Sequence, residues 1–95
     1  MYGQQSGGQR FEITVEVGKP YQYGDDPEEW ACSVSLKPLY SRLSDIRGED
    51  SFQALCLAIR FVHSLLQGFV EDGGTLTHEG GEAFPLEAYG TRPWS

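Results

Sequence analysis

One stretch decides the fold of this 95-residue chain: Asp50-Ser-Phe-Gln-Ala-Leu-Cys-Leu-Ala-Ile-Arg-Phe-Val-His-Ser-Leu-Leu-Gln-Gly68. Its apolar residues recur at spacings of three and four, so they fall on one side of a helix that turns about 100° per residue. We therefore predict one long helix at the centre of the core. The side expected to be buried carries Phe52, Leu55, Ile59, Val62 and Leu66, widened by Ala54, Ala58, Phe61 and Leu65.

Both ends of this helix carry recognisable signals. Asp50, followed three residues later by Gln53, is typical of a capping box, and Gly68 can adopt the left-handed conformation that ends many helices. These signals predict a helix over residues 50–67. Its polar face carries Gln53, Arg60, Ser64 and Gln67, with Cys56 and His63 at the border.

Length and charge narrow the class of protein. A chain of 95 residues makes one domain, and a hydrophobic share of 39% is enough for a packed core. The net charge of -7 argues against nucleic acid as a ligand, because phosphate contacts need Lys or Arg. The same charge argues against an anionic membrane surface and favours neutral or basic partners.

We expect a cytoplasmic location. The N-terminus lacks the basic and apolar regions of a secretory signal, and no apolar run approaches the roughly 20 residues of a membrane span. Cys32 and Cys56 both lie in apolar patterns, which predicts free, buried thiols. A disulfide or a two-ligand metal site is the alternative.

Four segments outside the helix have the character of strands. Residues 10–17 and 30–36 alternate apolar and polar side chains, and residues 75–78 form a shorter candidate. Residues 40–46 are either a third strand or irregular chain, and we favour a strand because three strands give the helix a platform. The order β-β-β-α-β predicts an α+β fold in two layers, with the helix packed across an antiparallel sheet of three to four strands.

The rest of the chain lacks a period. Residues 1–9, rich in Gln, Gly and Ser, are expected to be a disordered tail ahead of a single domain over residues 10–88. Residues 89–95 are expected to be an irregular tail, in which Trp94 either covers a core edge or lies in solvent.

The connection over residues 18–29 is the candidate binding surface. It is longer than the roughly 2 to 5 residues of a usual hairpin loop, and long ordered loops in small domains are often functional. Aromatic residues beside acids suit a partner rich in Lys or Arg, although the tyrosine rings could equally fold back over the sheet edge. The predicted contact residues are Tyr21, Tyr23, Asp25, Asp26, Glu28 and Glu29.

The side chains offer little for an enzyme. Cys56 and His63 share a side of the helix but stand two turns, about 11 Å, apart, too far for a direct nucleophile pair. Asp25 and Asp26 have no apolar surroundings that would shift a pKa, and the acidic loop lacks the ligand spacing of a calcium loop. His78 lies in a glycine-rich turn. We predict no catalytic residues, no cofactor and no metal site.

One sequence pattern resembles a known group. Trp30-x-Cys32, followed by Gly48-x-Asp50-Ser51-x-Gln53-Ala54-Leu55 at the start of the apolar helix, resembles small bacterial domains of unknown function. The likeness covers residues 10–86 and implies no activity. Such domains are small, acidic and without catalytic clusters, as many immunity and antitoxin proteins are, which is an analogy only.

Three functional hypotheses follow. The leading one is a non-enzymatic protein that binds another protein, in the manner of an immunity or antitoxin protein that neutralises a basic partner. The second is a small-molecule-binding or enzymatic domain with a pocket between helix and sheet, near His63 and Cys56. The third is a structural homodimer, formed through the surplus apolar surface of the helix or through an unpaired sheet edge.

Overall fold

A computed structural model describes residues 1–40 and 42–86. All strand pairings in it are antiparallel, and one long helix packs against them, so the predicted α+β class is confirmed. The elements are β1 (Tyr2–Gln4), β2 (Arg10–Glu12), β3 (Thr14–Val17), β4 (Tyr21–Gln22), β5 (Trp30–Cys32), β6 (Val34–Lys37), β7 (Ile46–Gly48), α1 (Ser51–Glu71) and β8 (Thr75–Thr77).

The strands form three small sheets, in the orders β2-β1-β8, β3-β6 and β4-β5-β7. A single residue, Ile13, separates β2 from β3, and Ser33 separates β5 from β6. The predicted strands over residues 10–17 and 30–36 are therefore extended as expected, but each changes its partner midway. These two segments link the three sheets, because each contributes a strand to two of them.

The pairing of β3 with β6 explains the alternation seen in the sequence. Val15 lies opposite Leu36 and Val17 lies opposite Val34, whereas Glu16 lies opposite Ser35. Residues directly opposite each other share a face of the sheet. One face therefore carries the apolar pairs towards the core, and exposed Glu16 marks the other.

The start of α1 follows its sequence signal. The side chain of Asp50, whose own backbone is extended, accepts a hydrogen bond from the N–H of Gln53 at 2.7 Å. The side chain of Gln53 in turn accepts from the N–H of Glu49 at 2.6 Å, one residue before the usual position in a capping box. Two backbone donors at the helix start are satisfied in this way.

The predicted end of the helix at Gly68 is wrong, because α1 continues for one more turn to Glu71. Gly73, with a φ of +101°, takes the left-handed position after the helix. The N–H of the next residue, Gly74, donates to the carbonyl of Phe69 at 2.9 Å, as in a Schellman motif.

Packing explains why the helix passes through Gly68. A glycine inside a helix costs only about 1 kcal/mol relative to alanine. The ring of Phe69 packs edge-on against the ring of Phe11 on β2, with centroids 6.1 Å apart. This contact requires the last turn of α1 and offsets the cost of the glycine.

The buried side of α1 is rotated from the predicted one. Phe52 and Ile59, both expected in the core, are 74% and 40% exposed. The first half of the helix presents alanines to the sheet, so the backbones approach closely: a Cβ built on Gly48 would lie 2.6 Å from the backbone N of Ala54. The buried residues of α1 are Ala54, Ala58, Val62 and Leu66, one line at a spacing of four.

The prediction of a disordered tail over residues 1–9 is wrong at Tyr2–Gln4, which forms β1 between β2 and β8. The composition of the segment alone did not reveal that two strand edges were available to pair with it. Two contacts fix it there. Gly3 packs against Ile13, and the guanidinium of Arg10 lies 4.0 Å from the ring centroid of Tyr2.

Three further boundaries bear on the predictions. The third strand lies at Ile46–Gly48 instead of residues 40–46, where Tyr40 makes only an isolated bridge to Leu36. The connection over residues 18–29 contains the short strand β4. The fourth predicted strand is confirmed as β8. Residues 89–95, with Trp94, lie outside the described residues.

By length and composition alone, α1 is long and apolar enough to cross a membrane, contrary to the expectation drawn from the apolar runs. Core helices of globular domains share these two properties. Here the helix packs on β7, β5 and β3 and contributes four residues to the core.

Candidate functional site

The sheet β4-β5-β7 has a face directed away from α1. Tyr21 lies opposite Ala31, and Ala31 lies opposite Arg47, so these three residues form one row across the sheet. The next residue along β5, Cys32, belongs to the core that packs on α1. Since neighbours along a strand face opposite sides, the row of Ala31 faces outward.

Four side chains of this face form what we call the outer patch: Tyr21, Tyr23, Asp45 and Arg47. The hydroxyl of Tyr21 donates a hydrogen bond to the carboxylate of Asp45. The Arg47 guanidinium lies 3.9 Å from the ring centroid of Tyr23 and donates to its hydroxyl at 2.7 Å. Ala31 beneath them is fully buried, because a small residue at the centre of the row leaves room for the larger side chains to close over it.

Both tyrosines remain accessible in this arrangement. Tyr21 is 42% exposed and Tyr23 is 37% exposed, although each ring is held by a polar contact. Both rings therefore lie over the sheet, which is close to the alternative in which the tyrosines fold back over its edge. They nevertheless leave apolar ring surface exposed to solvent. Rings fixed before binding lose less conformational entropy when they contact a partner.

The acidic loop that follows is ordered by its own backbone. The N–H of Tyr23 donates to the carbonyl of Glu29 at 2.7 Å, which closes the loop. The side chain of Asp26 accepts from the N–H of Glu28 at 2.9 Å, and the indole of Trp30 donates to the Pro27 carbonyl at 3.2 Å. All four predicted acidic contact residues are exposed: Asp25, Asp26, Glu28 and Glu29.

The structure thus brings the six predicted site residues to one end of the sheet β4-β5-β7, with the tyrosines on its outer face and the acids at the loop tip. No Lys or Arg lies within residues 20–29, so the negative charge of the tip is uncompensated along its own segment. Sequence reasoning missed Asp45 and Arg47. The available signal was their spacing of two around the apolar Ile46, which places both side chains on the face opposite a residue that packs against the core.

The hydrogen bond to Asp45 raises the pKa of the Tyr21 hydroxyl above its ordinary value, with smaller contributions from desolvation and from the charge of that carboxylate. A raised pKa in the folded state means that the contact stabilises the fold below the ordinary tyrosine pKa of about 10. This contribution is lost as the pH rises through the raised value.

Asp45→Asn is therefore expected to move the ionisation of one tyrosine back towards its ordinary pH. Near-ultraviolet absorbance of the tyrosinate ion, followed through an alkaline titration, measures this directly. In a Tyr21→Phe background, Asp45→Asn should leave the titration of the remaining tyrosines unchanged. A shift that persists without Tyr21 would show that the assigned hydrogen bond is not its cause.

His63 and the two cysteines lie away from this site and do not converge with one another. His63 Nε2 lies 3.1 Å from the carbonyl oxygen of Leu86, and Cys56 is half-buried with a free thiol. Cys32 is fully buried; its thiol donates to the Gly18 carbonyl at 3.1 Å, and burial raises its pKa. Among residues 1–40 and 42–86, no three His, Cys, Asp or Glu side chains are grouped so that they could hold a metal ion.

The region between helix and sheet is occupied by packed side chains. The buried residues of α1 meet Ile13, Cys32, Val34 and Leu36 in one apolar cluster. A surface depression of about 180 Å³ lies away from His63, on the two-stranded sheet β3-β6. It is lined by Glu16, Val17, Gly18, Ser33, Val34 and Ser35.

Comparison with known proteins adds a family. No curated protein and no solved structure matches the chain. A family model described as a domain of unknown function, DUF6968, matches residues 4–87, which include all the strands from β2 onwards, the helix and the outer patch. The chain therefore belongs to the DUF6968 family.

Proposed function

We propose that this chain is a non-enzymatic protein that binds a basic protein partner through the outer patch and the acidic loop, as an acidic immunity or antitoxin protein of the bacterial cytoplasm would. The observation that carries the proposal is the pair of tyrosines held on the outer face of β4-β5-β7, 42% and 37% exposed, beside four exposed acids. Tyrosine is enriched among the residues that dominate binding energy.

Charge supports the same assignment. The chain carries 14 acidic and 7 basic residues, and the four carboxylates between Asp25 and Glu29 project beside the aromatic surface. A basic partner would be steered by long-range attraction to the loop, and the tyrosines would then supply apolar contact. Binding should accordingly weaken as salt screens the charges, with a Debye length of about 8 Å at physiological ionic strength.

The aromatic part is tested by capture from native lysate of the source cells, with matched variants. The amount of basic protein captured by the double variant Tyr21→Ala/Tyr23→Ala should be lower than that captured by the wild type by about tenfold or more. The reason is that this variant removes both aromatic anchors. The control is Tyr2→Ala/Tyr40→Ala, which also removes two tyrosines, one of them likewise stacked on an arginine. The proposal would be contradicted if both double variants lost the captured protein to the same extent. It would also be contradicted if no captured protein depended on Tyr21 and Tyr23.

The acidic part is tested by neutralising three carboxylates and keeping Asp26, which orders the loop. This triple variant should lose most of the salt dependence of binding. The control neutralises three exposed acids elsewhere, so the net charge changes equally while the loop stays acidic. The test set is Asp25→Asn, Glu28→Gln and Glu29→Gln, and the control set is Glu12→Gln, Glu16→Gln and Glu71→Gln.

A further inference from the structure

The depression of about 180 Å³ on the two-stranded sheet β3-β6 lies on the face turned away from the core. Ser33 and Ser35 alternate with buried residues of the apolar cluster, so their side chains face the opposite way. Glu16 lies opposite Ser35, and the N–H of Gly18 donates to the carbonyl of Ser33 at 2.8 Å, which continues the same register. Residues opposite each other share a face, so these four lining residues belong to one outer surface.

Small residues at the centre of this surface make the depression. Gly18, Ser33 and Ser35 carry no bulk, and Glu16 is the only long side chain of the four. A Cβ built on Gly18 would overlap the hydroxyl of Ser33, so that hydroxyl occupies the place a larger residue would take. Glycine at position 18 therefore keeps the floor low and leaves a polar group on it.

The side chains of the depression offer hydrogen-bond acceptors and one negative charge. These are the carboxylate of Glu16 and the hydroxyls of Ser33 and Ser35. Within residues 1–40 and 42–86, none of the three side chains has a hydrogen bond or an ion pair of its own. Lys37 lies diagonally across from Glu16 on the same face and still makes no ion pair with it. The site is therefore free to take a cation with N–H donors.

We propose that this depression binds the guanidinium group of a small organic cation. A guanidinium presents its N–H donors in a planar fork that fits a carboxylate in a bidentate way, here that of Glu16. The hydroxyls of Ser33 and Ser35 accept from donors that the carboxylate leaves unused. Pockets for drug-sized ligands measure roughly 300–1,000 Å³, so a depression of about 180 Å³ suits one such group on a short chain.

This site is distinct from the outer patch. Between the pairs Val17–Val34 and Tyr21–Ala31, the first segment has residues 18–20 and the second has only residues 32–33. One extra residue on one side is a bulge, which increases the local twist and redirects the side chains that follow. The bulge lies between the depression and the tyrosines, so a ligand of one surface need not touch the other.

The first test is a titration of the isotope-labelled full chain, followed by amide shifts in nitrogen–proton correlation spectra. Methylguanidinium at millimolar concentration should shift the amides of Gly18, Ser33 and Ser35 and saturate them. Methylurea, which has the same shape without the charge, should not. Methylammonium should bind more weakly, because it lacks the planar fork. The amide of Gly24 reports on unspecific attraction of cations to the acidic loop.

Matched variants assign the binding groups. Glu16→Gln should weaken methylguanidinium binding by about tenfold or more, because it removes the charged acceptor. The control is Glu12→Gln, which neutralises an exposed acid that does not line the depression and should leave binding unchanged. Gly18→Ala keeps every charge but places a Cβ where the Ser33 hydroxyl lies, so it should also weaken binding. Unchanged amide dispersion in each variant shows that the fold is retained.

Three results would overturn the proposal. These are equal shifts with methylurea or methylammonium, equal effects of Glu16→Gln and Glu12→Gln, and a larger shift at Gly24 than at Gly18. Methylguanidinium is also added to the chain with a protein captured from lysate. Its release by the probe from the wild type but not from Glu16→Gln would assign the site to a side chain of that protein and overturn the assignment to a free cation. The titration uses the chain alone, so its failure leaves the proposed function untouched, and the reverse holds as well.

Discussion

Leu36→Ala is expected to lower the free energy of unfolding by about 2–5 kcal/mol, the usual cost of truncating a buried leucine. Leu36 is the largest fully buried side chain among the described residues, and it lies on β6 opposite Val15. It belongs to the apolar cluster in which the helix meets the sheets, so no neighbour can collapse into the space without moving one of these layers. The free energy of unfolding of native domains is only about 5–15 kcal/mol, so this one substitution would remove a large part of it.

Urea unfolding followed by far-ultraviolet circular dichroism measures this loss as a shift of the midpoint at constant slope. The control is Val70→Ala, which removes part of an apolar side chain that is 40% exposed. Its expected effect is below about 1 kcal/mol, because surface substitutions seldom change stability more. A change smaller for Leu36→Ala than for Val70→Ala would mean that the core does not lie where the structure places it.

Gly48→Ala is expected to lower the free energy of unfolding by about 1–3 kcal/mol, as overpacking of a close contact does. The added Cβ would lie 2.6 Å from the backbone N of Ala54 and 2.9 Å from its Cα. Backbone atoms cannot turn aside as the end of a flexible side chain can. Either β7 or the first turn of α1 has to move, at the place where helix and sheet are closest.

The same substitution at Gly68 should have the opposite sign. Gly68 lies inside α1, and a Cβ built there meets nothing within 4 Å. Alanine in a helix interior is favoured over glycine by about 0.5–1 kcal/mol, so Gly68→Ala should stabilise the chain. Both variants are compared by urea unfolding at one protein concentration. Destabilisation by Gly68→Ala would indicate that the helix ends there after all, and an unchanged midpoint for Gly48→Ala would refute the close approach of α1 to β7.

The sequence was informative wherever a pattern is local. Alternation over residues 10–17 identified extended chain with one apolar face, and Asp50 with Gln53 identified the start of α1. Both signals depend only on residues that are close together in the sequence. The helix end could not be found in the same way. It depends on the contact of Phe69 with Phe11, which lies far away in the chain.

The rotation of α1 has a similar cause. The sequence shows apolar residues over about half of the circumference of the helix. Which of these residues become buried depends on the sheet against which the helix packs. Ala54 fits the narrow gap beside Gly48 and Ala58 is also fully buried, whereas the bulkier Phe52 is left outside. Patterns of hydrophobicity alone favoured the larger residue. The close approach of the helix and sheet backbones leaves room only for the smaller alanines.

The candidate site was predictable in part. Its six residues share one loop, and the loop was recognisable by its length, its acids and its tyrosines. That Tyr21 and Tyr23 are held by Asp45 and Arg47 depends on the pairing of β5 with β7, a long-range register that alternation does not specify. The position of residues 1–9 was missed for the same reason.

The most direct test of the proposed binding surface is hydroxyl-radical footprinting of the chain, free and in the complex recovered from native lysate. In the free chain, the exposed rings of Tyr21, Tyr23 and Tyr40 should all be oxidised. In the complex, Tyr21 and Tyr23 should be protected while Tyr40 remains as reactive as before. Unchanged oxidation of Tyr21 and Tyr23 in a complex that protects other residues would contradict the account.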